Sequence, residues 1–201
     1  AVFNGESGIR LPDGLIDHGS YSVSLWLKPE QLTDFTTTFF GAVPVGDDYE
    51  YISIVPKHGF WNNMIIWGFQ NGAHYDAHSY TALPLNEWTQ VTVTVDKDVV
   101  NVYVNGSFKF TGTAFPDLFN SDNGQFALGV NYWDTPYKGL IDELRIYEIA
   151  ISAEQIAAQY EQDRTNVWAL KLSASELSLV AGATASLSAS IAPVSASKQP
   201  L

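Results

Sequence analysis

The 201-residue chain has no cysteine, one methionine, and only 10 Lys and Arg against 22 Asp and Glu. Without cysteine there is neither a disulfide framework nor a thiolate zinc site. The shortage of basic residues leaves a formal net charge of −12. Such a surface repels nucleic acid, heparin-like glycans and anionic membranes. No apolar run is long enough to span a bilayer. A phosphate-cradling glycine loop, a Ser-His-Asp order and a signal peptide are missing too. What remains open is a neutral ligand or a cation. The first residue is Ala1, already inside a strand-like run, which predicts a piece of a larger protein.

What is present is β-forming. Hydrophobic residues make up 46% and aromatics 13% of the chain, enough for one sizeable domain with a core. "YSVSLWL" (21–27) alternates, with Tyr21, Val23, Leu25 and Leu27 on one face and Ser22, Ser24 and Trp26 on the other. "WTQVTVTV" (88–95) turns Val91, Val93 and Val95 inward and Thr92 and Thr94 outward. In "VVNVYVNGSFKF" (99–110), Asn105-Gly106 separates two alternating runs and predicts a hairpin, since both residues tolerate positive φ. "QFALGV" and "LIDELRIY" supply two more strands. Short strands at this spacing predict an antiparallel sandwich or jelly roll. A single helix is predicted after Ser152. Gln155 completes a capping box, and Ile156 and Tyr160 form an apolar edge that packs on the sandwich.

After Trp168 the composition shifts to Ser and Ala without aromatics. "LSLVAG" and "ATASLSASI" still alternate, which predicts two strands around a glycine turn. Alone they bury too little surface to fold stably. They read as the truncated opening of a second small β domain.

Two features could carry chemistry. In "LIDELRIY" the two-residue period groups Leu140, Asp142, Leu144 and Ile146. On the core face, Asp142 would be a buried carboxylate needing a partner. Either a Ca²⁺ ion with oxygen ligands satisfies it, or it caps a turn and accepts backbone N–H groups. The second feature is aromatic. Trp61, Trp67, Tyr75 and Trp133 all lie in or beside Gly- and Asn-rich stretches. If Ile52, Ile54, Met64 and Ile66 are core, then Tyr51, Ser53 and Trp67 share an outer face. Rings with Asn, Asp and His around them suit sugar recognition, where a pyranose face stacks on a ring and its hydroxyls bond to amides and carboxylates. For any one Trp, ordinary packing competes with that reading; the cluster favours a binding surface. A glycosidase of this architecture carries a Glu-x-Asp-x-x-Glu strand. "IDELRIYE" does not match it, because Asp142 and Glu143 point to opposite faces. Asp47, Asp48 and Glu50 sit in what reads as a solvated loop. His74 and His78 are too far apart on a strand to clamp one zinc.

"AVFNGESGIRLP", "YSVSLWLKP", "WTQVTVTVD", "VNVYVNG" and "LGVNYWDTPYKGLIDELRIYEIAIS" together resemble the laminin-G-like, concanavalin A-like jelly rolls of bacterial polysaccharide-degrading enzymes, over roughly residues 1–161. "GIRLPDGLI", "TTTFFGA", "YISIVP" and "LGVNYWDTPYKG" most resemble family-61 carbohydrate-binding modules, which accompany secreted endo-β-1,4-galactanases and related arabinan or galactan hydrolases. That family's pattern has Trp where this chain has Tyr51, and Trp-Tyr where it has His74-Tyr75. The tail is similar to the start of a bacterial Ig-like group 2 domain.

The resemblance implies an all-β, concanavalin A-like (laminin G-like) antiparallel jelly-roll sandwich with one short C-terminal helix over residues 1–164, and an Ig-like start over 165–201. It implies a secreted, bacterial, non-catalytic, monomeric carbohydrate-binding module for β-1,4-galactan in the first place and arabinan in the second, covalently linked to a catalytic domain. Stacking is expected from Trp67, Tyr75 and Trp133, with Tyr51, Trp61 and His74 beside them and Asn131 and Asp134 reading hydroxyls. A structural Ca²⁺ would sit between first and last strands on Asp142 and the carbonyls near Asn4 and Gly5. A protein-binding adhesion domain and a jelly-roll glycosidase or lyase are the alternatives.

Overall fold

In the computed structural model, residues 1–79 and 81–165 are described, with two short strands at 169–172 and 189–192. These residues divide into two compact units, 1–157 and 158–201.

The first unit is a two-sheet sandwich. Its strands begin with β1 (Val2–Asn4), β2 (Ile9–Arg10), β3 (Ser20–Pro29), β4 (Phe39–Val45), β5 (Asp48–Val55) and β6 (Ile65–Gln70). The short β7 (Ala73–His74) and β8 (Ala77–His78) follow, then β9 (Thr89–Asp96), β10 (Val99–Val104) and β11 (Ser107–Thr113). The last two are β12 (Gln125–Leu128) and β13 (Lys138–Tyr147). One sheet has six strands in the order β1-β13-β3-β9-β10-β11, and the other runs β2-β12-β4-β5-β6-β7 with β8 also paired to β6. Every pairing is antiparallel. The helix α1 (Ala153–Thr165) comes next. In the second unit, β14 (Ala169–Leu172) pairs with β15 (Ala189–Ala192). The strand expected at 177–182 and most of the one expected at 183–191 lie outside the described residues.

The alternating runs form the core as the pattern predicts. Tyr21, Val23, Leu25 and Leu27 of β3 and Val91, Val93 and Val95 of β9 are buried and face Phe39, Ile52, Ile54, Ile66 and Phe126 of the other sheet. The Asn105-Gly106 turn has positive φ at both residues, as a tight hairpin needs.

The outer face of the six-stranded sheet departs from expectation. Ser22, Ser24, Trp26, Thr92 and Thr94 are buried rather than solvated. The chain after β13 contributes to this, because it folds back onto the sheet at Ser22. Ser22 Oγ donates to the Ile149 carbonyl and accepts the Ile151 N–H. Ser24 and Thr92 hydroxyls bond each other at 2.9 Å. Ile151, Ile156 and Tyr103 make a second small core there. The capping box that starts α1 is formed: Ser152 N donates to Gln155 Oε1 and Gln155 N to Ser152 Oγ.

A bulge in β13 corrects the reading of Asp142. Asp142 pairs with Trp26 and Arg145 with Ser24, so Glu143 and Leu144 together oppose one residue of β3. Glu143 takes φ +50° to make room. The bulge switches the buried parity. Ile141 is buried while Asp142 is exposed and accepts its neighbour Glu143 N–H at 3.0 Å. The expected calcium ligand set fails on register as well. Asn4 lies opposite Lys138, four residues from Asp142, or about 13 Å along the strand, and Gly5 is farther. Asn4 instead bonds Glu6 through its own amide. Asp142, Asn4 and Gly5 therefore do not converge on one ion.

Candidate functional site: an aromatic cleft on the seven-stranded sheet

The site grows from the outward face of β4, β5 and β6. Tyr51 pairs with Phe69 and Ser53 with Trp67, while Ile52, Ile54 and Ile66 point into the core. The expected split of this strand pair is thus observed. Phe40 alternates with the core residue Phe39 and also faces outward, yet it is buried because other rings lie on it.

Two loops raise the walls. The first follows β12. Asn131 Oδ1 accepts the Trp133 and Asp134 N–H groups, and its Nδ2 donates to Asp134 Oδ2 and Thr37 Oγ1. Its amide is therefore committed inside the loop. Asn131 is a positioning residue that presents Trp133 and Asp134, and does not offer its amide to a ligand. Trp133 stays 55% exposed and its ring meets Tyr51 at 5.1 Å. Of the three aromatics in "NYWDTPY", Tyr137 is the exception. It is fully buried, edge-on to Phe3, and burial pushes its hydroxyl pKa up.

The second wall is the turn from His58 to Trp61. His58 Nδ1 accepts weak bonds from the Phe60 and Trp61 N–H groups. Trp61 stacks on the His58 ring at 4.3 Å and leans on His78 at 5.3 Å. Phe35 stacks on Trp67 with centroids 5.6 Å apart and planes 19° from parallel. Phe35 holds φ +65°, a costly conformation for a bulky residue. Its N–H bonds the Lys57 carbonyl, and the Lys57–Asp34 ion pair brackets it.

Between the walls lies a cleft of about 560 Å³. Tyr51, Trp61, Trp67, His74, Trp133 and Asp134 line it, six of the residues expected from the sequence. Tyr75 does not. His74 and Asp76 on either side of it both face the cleft, so the alternation of an extended chain turns the Tyr75 ring away. Four lining residues escaped the sequence reading: Phe35, His58, Phe60 and Asp76. Phe35, His58 and Phe60 belong to irregular segments with no periodicity to read. Asp76 stood in plain view in "AHYDAHSY", and the one usable signal was its parity with His74.

The polar groups are electrostatically tuned. Burial raises the Asp76 carboxyl above its ordinary range, against the pull of His74 3.7 Å away. Burial likewise raises Asp134. The Tyr51 hydroxyl is pushed up to about 12, mainly by burial. Burial lowers His58, so its ring is kept neutral. The arrangement offers flat apolar rings, two acceptor carboxylates and imidazoles in one open trough. Among the described residues no three His, Cys, Asp or Glu side chains gather as a metal site would require.

Comparison with known proteins agrees with this architecture. Domain 4 of AbnA, an extracellular GH43 arabinanase from Geobacillus stearothermophilus solved with arabinotriose, is 52% identical, with TM-score 0.72, over 78% of this chain and 74% of that one. The CBM40 of the Ruminococcus gnavus IT-sialidase, bound to α2,3-sialyllactose, shares the fold at 14% identity and TM-score 0.59, over 77% of this chain and 97% of that one. The SAP-like pentraxin of Limulus polyphemus shares it at 15% identity and TM-score 0.54, over 78% of each chain. No curated protein sequence matches. Residues 3–157 match the family described as the concanavalin A-like lectin/glucanases superfamily, and the chain belongs to that family.

Proposed function

We propose that the chain is a non-catalytic carbohydrate-binding domain that holds a secreted bacterial glycoside hydrolase on neutral polysaccharide side chains. The observation that carries this reading is the ring-lined cleft, where Trp67 and Trp133 offer faces and Asp76 and Asp134 offer acceptors. Stacking removes apolar ring area from water. Hydroxyls then exchange water for carboxylates at a small net gain, so affinity is modest. The −12 charge and the two cleft carboxylates select against uronic acid polymers.

Between the two glycans implied by the family resemblance, arabinan is favoured over β-1,4-galactan. The support is the 52% identity to a domain solved with arabinotriose. The parent enzyme is accordingly read as an arabinanase or galactanase, with this chain as its accessory domain. Affinity electrophoresis against arabinan, galactan and xylan tests the reading. Retardation by arabinan is expected, and unretarded migration in all three removes it. Reducing-sugar release from arabinan by the isolated chain would remove the non-catalytic part alone.

A further inference from the structure

The loop that presents Trp133 has a second side. Across it, a smaller hollow of about 310 Å³ opens beside β2 and β12. Arg10, Gln125 and Tyr132 line it, with Phe40 beneath. Trp133 and Tyr132 are consecutive, yet their rings stand 89° apart, so one faces the cleft and the other this hollow. Both rings lean edge-on against Phe40, at 6.1 and 5.3 Å. Asn131, which fixes Trp133, also lines the hollow. Phe40, which lines the hollow, also packs against the Trp133 ring of the cleft, so one buried ring and one loop connect the two depressions.

Like the cleft, the hollow sets an exposed ring beside polar groups, here an amide and a guanidinium in place of the carboxylates and imidazoles. Tyr132 is 46% exposed and backed by Tyr49 at 4.4 Å. Its hydroxyl donates to Gln125 Oε1 at 2.8 Å, which holds both groups at the rim. Arg10 is exposed and neutralised by Asp13 at 2.7 Å, so it offers N–H donors without a net charge to attract anions.

We propose that the Tyr132 hollow is a second subsite, which takes uncharged sugar residues of a glycan chain that continues out of the Trp133 cleft. The inference rests on the proposed function. It adds that the domain grips an internal stretch of chain and not only a short end, because the two depressions lie on either side of the Trp133 loop.

Calorimetry with arabinan oligosaccharides from three to eight residues tests it, using the wild type, Tyr132→Ala and Gln125→Ala. In the wild type, affinity is expected to rise about fivefold between the trisaccharide and the longest oligomers, the scale of one net hydrogen bond. Both variants are expected to bind the trisaccharide as the wild type does and to lose that rise. Gln125→Ala leaves every ring in place, so it decides the matter if Tyr132→Ala disturbs Phe40. A wild type without the rise, or a Gln125→Ala variant that keeps it, overturns the subsite while the cleft reading stands. A wild type that binds none of the oligosaccharides removes the cleft reading and the subsite together.

Discussion

The rings of Tyr51 and Trp133 meet at 5.1 Å with 46° between their planes, although 82 positions separate them in the chain. Tyr51 is fixed by β5 and Phe69 stacks on its flank at 5.3 Å. Trp133 is fixed by the Asn131 loop. Their junction joins the sheet to the wall of the cleft, and it divides the labour. Tyr51 carries packing, whereas Trp133 keeps an exposed face.

That division predicts the outcome of Trp133→Ala. Truncating an exposed central anchor costs about 2 kcal/mol of binding, near thirtyfold in Kd. Its loss from packing is about 1 kcal/mol, a fall of roughly 2–4 °C in Tm. Calorimetry with arabinan oligosaccharides and a thermal melt measure the two effects. Retained affinity with a collapsed Tm would reverse the assignment.

The neutral His58 ring predicts a dependence on pH. Its folded-state pKa is lowered by burial, with Asp76 and Asp34 opposing and His78 assisting. The stability it contributes is complete above about pH 6.5, the ordinary imidazole value, and is lost as pH falls through the folded value. His18 works in the opposite sense. Its hydrogen bonds to the Glu148 carbonyl and Asp17 raise its pKa, so its contribution is complete below about 6.5 and lost as pH rises. In a His18→Asn background, Tm should therefore fall on acidification from 7.5 to 5.5, and the His58 C–H resonances should titrate below 6.5. A midpoint above that value would contradict the burial argument.

Gly129 predicts a backbone effect. Its φ is +72°, and an added Cβ would come within 2.6 Å of the Phe3 ring. Its N–H bonds Thr38 and its carbonyl accepts from Tyr137, so it sets the start of the Trp133 loop. Gly129→Ala should cost about 2–4 kcal/mol, combining left-handed strain with overpacking. Urea denaturation gives the number. A loss under about 1 kcal/mol, the low end of overpacking, would show that the loop relaxes.

Asp142 predicts a small effect. Exposed on the bulge and bonded to its neighbour's N–H, it should change stability by about 0.5–1 kcal/mol when replaced by alanine. A Tm loss several times larger, reproduced by a chelator, would restore a structural cation at that strand.

The legible parts of the fold were those governed by a two-residue period. β3 and β9 alternate without interruption, Asn105-Gly106 marked the turn between β10 and β11, and the split of β5 and β6 into Ile and aromatic faces followed from parity alone. Parity failed where the backbone adds a residue. Nothing in "LIDELRIY" marks the bulge after Asp142, because Glu143 accepts a left-handed φ that its side chain does not advertise. Tyr75 was misplaced for another reason: its neighbours His74 and Asp76 face the cleft, and alternation turns the ring between them away. The burial of Ser22 could not be read locally either, since Ile149 and Ile151, which bond it, lie far along the chain. Half of the cleft's walls, Phe35 and the 58–61 turn, are irregular segments whose conformation is imposed by tertiary contacts.

The mutual packing of the cleft rings has an evolutionary consequence. Phe40 touches Tyr51, Tyr132 and Trp133, and Tyr51 also touches Phe69. Residues so interlocked do not contribute independently, so replacing one reshapes the seats of its neighbours. A descendant of this domain that came to prefer another sugar would have to exchange rings in sets, and a lineage changing them singly would pass through poor binders on the way.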